Sequence, residues 1–226
     1  AVLSGPDARD SMNLPPQDLP WLSATQQPAH NVDWLRGKRI GLLLDAGCGL
    51  PLDEQVRDVC EDTAARMAAA GAHVTSIGPM LTPEMLDGMD LFWRMRSYQD
   101  LQAMSEAQRA ALLPYILSWA ESARDMSGAE VYNAWQQSHR MRLASVQALE
   151  GLDFILSPTA PITAFAAELP TPTNDPLRGL EHIGFTLPFN MGEQPAISVN
   201  MGYSRAGLPI GVQLAGQRFD DIGALR

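Results

Sequence analysis

The sequence predicts an α/β protein: a mixed β-sheet flanked by helices on both faces (an α/β/α sandwich), incomplete at both ends. Three observations carry this prediction. A strand, an amphipathic helix and a second strand follow one another between Arg39 and Gly78, the pattern of a βαβ unit with parallel strands. Helical patterns with capping signals then fill the middle of the chain. Finally, short apolar runs bounded by Pro and Gly return from Asp153 onward.

Residues 1–37 are rich in Pro, Asp, Ser and Gln without a sustained period, and read as a loop-rich lead-in along the surface. "KRIGLLLDAG" gives a buried strand from Arg39 to Asp45. In "LDEQVRDVCEDTAARMAAAG", Asp53 can cap a helix whose Val56, Val59, Cys60, Ala64 and Met67 share one face, and Gly71 ends it. "AHVTSIG" is the next strand. Thr82 with Pro83 marks another helix start. "SEAQ" at Ser105 and "SGAE" at Ser127 have capping-box spacing, and Pro114 divides the first of these patterns into two helices.

The helix from about Ala129 to Leu149 is expected to turn Val131, Trp135, Leu143, Val146 and Leu149 to a core. Its Met, Trp and Tyr serve either as packing between helices or as a substrate-contacting wall. A buried strand from Asp153 to Leu156 stops at Pro158, and a Pro-rich connection runs to about residue 183. "FTLPFNMGEQPAISVNMG" holds Pro188 and Pro195 too close for one regular element, so a rigid, non-helical bend is expected before the strand "PAISVNMG". "YSRAGL" joins that strand to "PIGVQLAG".

Composition narrows the function. The chain has 226 residues, 46% hydrophobic and 19% charged, enough for one large domain. A formal charge of −10 argues against nucleic-acid or anionic-membrane partners. No apolar run approaches a membrane helix in length and no signal-peptide pattern opens the chain. Cys48 and Cys60 could form one disulfide, but no disulfide framework or metal knuckle is suggested. A reduced, cytoplasmic protein is the expectation. The start at Ala1 and the end on "RFDDIGALR", where Asp220 or Asp221 would cap a helix of very few residues, both read as cuts.

Local motifs supply no complete catalytic set. "DAGCGLPL" has Gly47 and Gly49 of a dinucleotide fingerprint, but Leu52 stands where the third small residue belongs and "TSIG" lacks the ribose-binding acid. A tight strand-to-helix turn is the reading. "GYSRAG" is one residue too long for a nucleophile elbow and lies between strands, so Ser204 is a hairpin residue. His30, His73, His139 and His182 are scattered without metal-ligand spacing, so no metal and no cofactor are expected. "DARD" pairs Asp7 and Asp10 across an Asx-type turn rather than an acid/base site.

The C-terminal stretch "TLPFNMGEQPAISVNMGYSRAGLPIGVQLAGQRFDD" resembles the amidase signature family. The family pattern T-x-P-F-N-x-x-G-x-P-A-x-S-x-P-x-G, then G-L-P-x-G-x-Q-x-x-G, is met at Thr186, Pro188, Phe189, Asn190, Pro195, Ala196, Ser198 and Gly202. It continues through Gly207, Leu208, Pro209, Gly211, Gln213 and Gly216. Upstream, "GPDARD", "LRGKRIGLLLD", "VRDVCEDTAARMAAAGAHV" and "LDFILSPTAP" are similar to family segments in the family's order, so nearly the whole chain is covered. There are two departures. Gly192 comes one place early, followed by Glu193-Gln194, and Asn200 replaces proline.

The resemblance implies the C-terminal part of a single amidase-like domain over 1–226. It implies hydrolysis of a carboxamide to an acid plus ammonia or an amine by a Ser-Ser-Lys site. The family's lysine and two serines lie upstream of the "GPDARD" position, so no catalytic residue is carried over and the chain is expected to be inactive alone. The bend implies a substrate pocket near Thr159, Phe185, Phe189 and Asn190, unless these residues only plug the sheet's edge. Partners implied are a small-molecule amide, the N-terminal half of the same domain, and a homo-oligomer.

Two alternatives stand. The A subunit of a tRNA-dependent amidotransferase shares the family fold. However, "VYNAWQQSHRMRLASVQAL" lacks the expected Arg-Ile-Met-Leu-Gly-like run, and Ile183 replaces an acidic residue. A non-catalytic ligand-binding or interaction module is the other. Half a domain should expose strand edges and apolar helix faces, and so self-associate, aggregate or stay bound to its N-terminal half.

Overall fold

The computed structural model describes residues 5–13, 17–25 and 32–226. Within the lead-in, Asp7 accepts from the Arg9 amide at 2.9 Å and Asp10 from the Met12 amide at 2.9 Å, the Asx turns expected of "DARD". The Arg9 guanidinium, bonded to Asp7, holds that carboxyl down at about 2. A short helix, α1 (Trp21–Thr25), and a 3-10 turn at Val32–Leu35 interrupt what the sequence predicts as loop.

The sheet begins at β1 (Arg39–Leu42), three residues shorter than expected, although Leu43 N still donates to the Leu156 carbonyl at 2.9 Å. The amide of Arg39 donates to the Asp153 carboxylate at 2.8 Å, fixing the strand's start. Helix α2 (Glu54–Ala69) is capped by Asp53, which accepts from Gln55 N at 2.8 Å, and Gly71 leaves it with φ +100°. Strand β2 (His73–Ser76) pairs parallel with β1, as the βαβ reading requires.

The middle is helical. Thr82 caps α3 (Pro83–Gln102), and complete capping boxes open α4 (Glu106–Ala110) at Ser105 and α6 (Gly128–Ala148) at Ser127. Pro114 does separate α4 from α5 (Pro114–Glu121). Strand β3 (Phe154–Pro158) pairs parallel with β1 and antiparallel with the last strand, Pro209–Gly216. After the Pro-rich connection come α7 (Leu187–Gly192), β4 (Ala196–Tyr203), β5 (Pro209–Gly216) and α8 (Asp221–Leu225). Ser204 closes the β4–β5 hairpin, accepting on its side chain from Leu208 N at 3.1 Å.

The strand order is β2-β1-β3-β5-β4, a mixed open sheet. Helix α2 covers one face, where Cys60 and Ala64 meet Ile40, Leu156 and Val212. Helices α6 and α7 cover the other, where Leu149 and Phe189 meet Ile155 and Ala215. A third cluster of Leu81, Leu86, Met89, Met141 and Leu187 joins α3, α6 and α7, so the methionines here pack helices together.

Helix α6 corrects the sequence reading. Its inward face is Ala134, Gln137, Met141, Ser145 and Leu149, whereas Trp135, Leu143 and Val146 are exposed and Val131 is only half-buried. Close packing explains the choice. A Cβ on Gly88 of α3 would meet Gln137 Cγ at 2.3 Å, and one on Gly192 of α7 would meet Ser145 Oγ at 2.3 Å. Small and slender side chains let three helices approach one another, and the large ones are displaced outward.

Buried polar groups tie the long connection down. Arg94 and Asp90 of α3 form an ion pair only 6% and 11% exposed. Arg94 also donates to Ser122 at 3.0 Å and to the Pro176 carbonyl at 2.9 Å, while Trp119 donates to Asp90 at 2.8 Å. Both charges are therefore answered, as a buried ion pair requires. Tyr115 adds a bond to the Asp175 carbonyl at 3.1 Å. A connection with little regular structure is thereby held at several points.

Candidate functional site

Phe185–Gly202, expected to be a non-helical bend, contains the short helix α7. Pro188 sits in its first turn, where the missing N–H has no helical partner to lose, so proline starts the helix instead of preventing it. Phe185 and Phe189 are each 2% exposed and belong to the core cluster with Ile155 and Leu149. Asn190 lies on the outer side of α7, exposed, with its amide donating to the Thr186 carbonyl at 3.0 Å. Thr159 is half-buried at the end of β3. The structure thus sets two of these four residues inside the core and two at the surface.

The turn leaving α7 accounts for the departure from the family pattern. Glu193 stands at the pattern's glycine position and has φ +58° and ψ 33°, the left-handed conformation that glycine adopts freely. Its carboxylate is paired with Arg142 of α6 at 2.5 Å and with Arg218 beyond β5. Arg142 also donates to the Met191 carbonyl at 3.1 Å. Gln194 follows, buried, donating to Ser145 at 3.1 Å. Two guanidinium groups hold an unfavourable backbone turn in place.

Polar side chains line the α7-facing side of β3, β5 and β4, because alternate residues of a strand share one face. Gln213 donates to Ser157 Oγ at 3.2 Å and to the Phe185 carbonyl at 3.1 Å, with both side chains buried. One step along, past the cover of the Phe185 loop, Thr159 Oγ1 and Ser198 Oγ lie 2.5 Å apart. Thr159 N donates to the Gly211 carbonyl at 3.0 Å, so the Thr159 side chain reaches across β5 at a glycine. Sequence reasoning names Thr159 as a pocket residue and misses Ser198, Gly211, Gln213 and Ser157 in that role. Finding them needs the β3–β5–β4 register, which a linear sequence does not display.

A concavity of about 480 Å³ opens beyond the ends of β1 and β2 and includes Asp45, Cys48, Arg57, Ser76 and Phe185 in its wall. Its glycines are structural. A Cβ on Gly47 would meet the Leu81 carbonyl oxygen at 2.1 Å, and one on Gly49 the Glu181 carbonyl oxygen at 2.3 Å. Protein backbone fills the space a pyrophosphate would need, which agrees with a tight turn. Burial, with Asp87 and Asp45 nearby, pushes the Cys48 thiol up to about 11, and burial pushes Cys60 to about 12. Both are thiols at neutral pH, poor nucleophiles, and both are free.

Among the described residues, no group of His, Cys, Asp and Glu could hold a metal. His73 and His139 are exposed, and His30 lies outside the described residues. His182 is half-buried, edge-on to Phe165 at 6.0 Å, and its Nδ1 is buried without a partner. Burial lowers its pKa. No helix among the described residues is long and apolar enough to cross a membrane.

Comparison with known proteins bears on the family and the fold. The sequence is 28% identical over 249 residues to the A component of the glutamyl-tRNA(Gln) amidotransferase of Synechococcus sp. strain CC9605, covering 97% of this chain and 48% of that protein. The same component from Synechococcus sp. strain RCC307 is 31% identical over 243 residues, covering 94% and 47%. The chain therefore spans about half the length of the curated relatives it matches. In fold it is similar to a bacterial aryl acylamidase of the amidase signature enzymes, with TM-score 0.78 and 23% identity, over 98% of this chain and 47% of that one. The amidase family model matches residues 1–225, and on that match the chain belongs to the amidase family.

Proposed function

We propose that this chain is the pocket-forming part of an amidase, a hydrolase that cleaves a small-molecule carboxamide to an acid plus ammonia or an amine. The open hydroxyl pair at the end of β3, in a chain of the amidase family, carries the reading. Thr159 and Asn190 would meet the substrate from the surface, with Phe185 and Phe189 as the apolar support beneath.

The nucleophile would come from residues outside this chain. A serine oxygen would attack the carbonyl carbon, its proton passing through a serine–lysine pair to the leaving nitrogen as the C–N bond breaks. Water would then release the acid from the acyl-enzyme. The half of the domain that carries these groups is the partner we infer for this chain, and a homo-oligomer of the whole is compatible with it. Two free cysteines, with no disulfide framework in the sequence, support a reducing, cytoplasmic setting.

The A component of a tRNA-dependent amidotransferase is the second reading, favoured by the names of the curated relatives. Against it, Ile183 is an apolar side chain packed beside the Leu81–Met141 cluster, where an acid suited to glutamine's amino group would be required. The test uses the protein as its gene encodes it. Amide hydrolysis measured by ammonia or amine release, with covalent labelling of one serine by a fluorophosphonate, is expected. Absence of both would sink the amidase reading, and release from glutamine alone would favour the amidotransferase reading.

A further inference from the structure

We infer that Thr159 and Ser198 together accept the N–H of the scissile carboxamide, and that Gly211 exists to let them meet. The inference rests on the amidase reading above and assigns a positioning role within it.

Three observations build the argument. The two hydroxyls come from different strands, the end of β3 and the middle of β4, with β5 between them. They touch at 2.5 Å only because residue 211 has no side chain: a Cβ there would meet Thr159 Oγ1 at 2.9 Å and Ser198 Oγ at 3.1 Å. The pair also faces out, whereas the Ser157–Gln213 row behind it is buried and satisfied.

Counting donors and acceptors then gives the ligand. When one hydroxyl donates to another, one O–H is consumed, and the pair is left with more free lone pairs than protons. Such a pair accepts better than it donates. A carboxamide that places its carbonyl in an oxyanion site presents its N–H as the remaining donor. Accepting that N–H holds the nitrogen in one orientation while the C–N bond weakens, which is a positioning effect. An ester has no such hydrogen and gains nothing from the pair.

The experiment compares para-nitroacetanilide with para-nitrophenyl acetate, which share an acyl group, using the protein as its gene encodes it. Thr159→Val and Ser198→Ala are each expected to lower kcat/KM for the anilide on the order of tenfold, the consequence of one unpaired polar group. Ester turnover should stay within about twofold of the parent. Gly211→Ala should give the same split with both hydroxyls retained, and Thr159→Ser should behave as the parent, so a variant that fails to fold does not decide the matter. Equal losses on both substrates, or an unchanged anilide rate, would overturn the inference while leaving the amidase reading intact. If the parent protein turns over neither substrate, releases no ammonia or amine from other carboxamides and carries no serine that a fluorophosphonate labels, the amidase reading falls and takes this inference with it.

Discussion

Strands β3 and β4 belong to one sheet, with only β5 between them, and their surroundings are opposite. All five residues of Phe154–Pro158 are buried, pressed between α2 on one face and α6 with α7 on the other. No residue of Ala196–Tyr203 is fully buried, and Val199 and Tyr203 are 46% and 67% exposed on the outermost strand. One strand is stabilised from within this chain. Among the described residues nothing pairs with the outer edge of the other, and its faces are only partly covered, a state natural sheets avoid by pairing or covering. The core of the fold is thus self-sufficient around β3, and the site that opens at the end of β3 faces the uncovered side.

The largest effect should come from β3. Ile155→Ala empties a position that is 0% exposed and touches the cluster of Leu149, Phe185 and Phe189. A loss of about 2–5 kcal/mol is expected from the cavity, read from the urea denaturation midpoint at constant slope. A loss below about 1 kcal/mol would mean that the β3 layer is loosely packed, and the contrast with β4 would collapse.

Next comes the α6–α7 contact that shapes the site. Gly192→Ala would place a Cβ 1.9 Å from Gln194 Oε1 and 2.3 Å from Ser145 Oγ. Relief requires breaking the Gln194–Ser145 bond, so destabilisation of about 1–3 kcal/mol is expected. At the adjacent position the terms oppose each other. Glu193→Gly removes left-handed strain worth about 1 kcal/mol. It also removes two ion pairs, partly exposed and worth about 0–1 kcal/mol each after screening. The net change should lie within about 1 kcal/mol, and the variant's melting temperature should respond less to added salt than the parent's. A loss of several kcal/mol would show the guanidinium clamp to be a main support of the bend.

The sequence makes the βαβ unit, the caps and the helix break at Pro114 plain, because each rests on residues near one another along the chain. Two expectations miss for one reason. Trp135 and Leu143 look like core residues until Gly88 and Gly192 bring neighbouring helices too close to admit them. Pro188 looks like a helix breaker until the helix starts at it. The candidate site is half legible: Thr159, Phe185, Phe189 and Asn190 are proposed from the family resemblance and the bend, whereas Ser198 joins Thr159 only through the register across Gly211. Tertiary neighbours decide all of these, and the local pattern is silent about them.

The smallest effect on stability should fall on β4, and it is the sharpest test of the contrast. Val199 alternates onto the α2 side of an edge strand and is nearly half exposed, so a lysine there keeps its stem on the sheet and its ammonium in water. Val199→Lys should change the folding free energy by no more than about 0.5 kcal/mol. It should nevertheless alter association, because a charge on an open edge opposes strand-to-strand pairing. Sedimentation velocity across a concentration series should show this chain self-associating and the lysine variant remaining smaller at the same concentration. If both sediment as the same compact monomer, the bare edge does not drive association, and the reading of β4 as a surface awaiting a cover loses its physical basis. A stability loss as large as that of Ile155→Ala would break the comparison from the other side, by showing that β4 is integrated into the core despite its exposure.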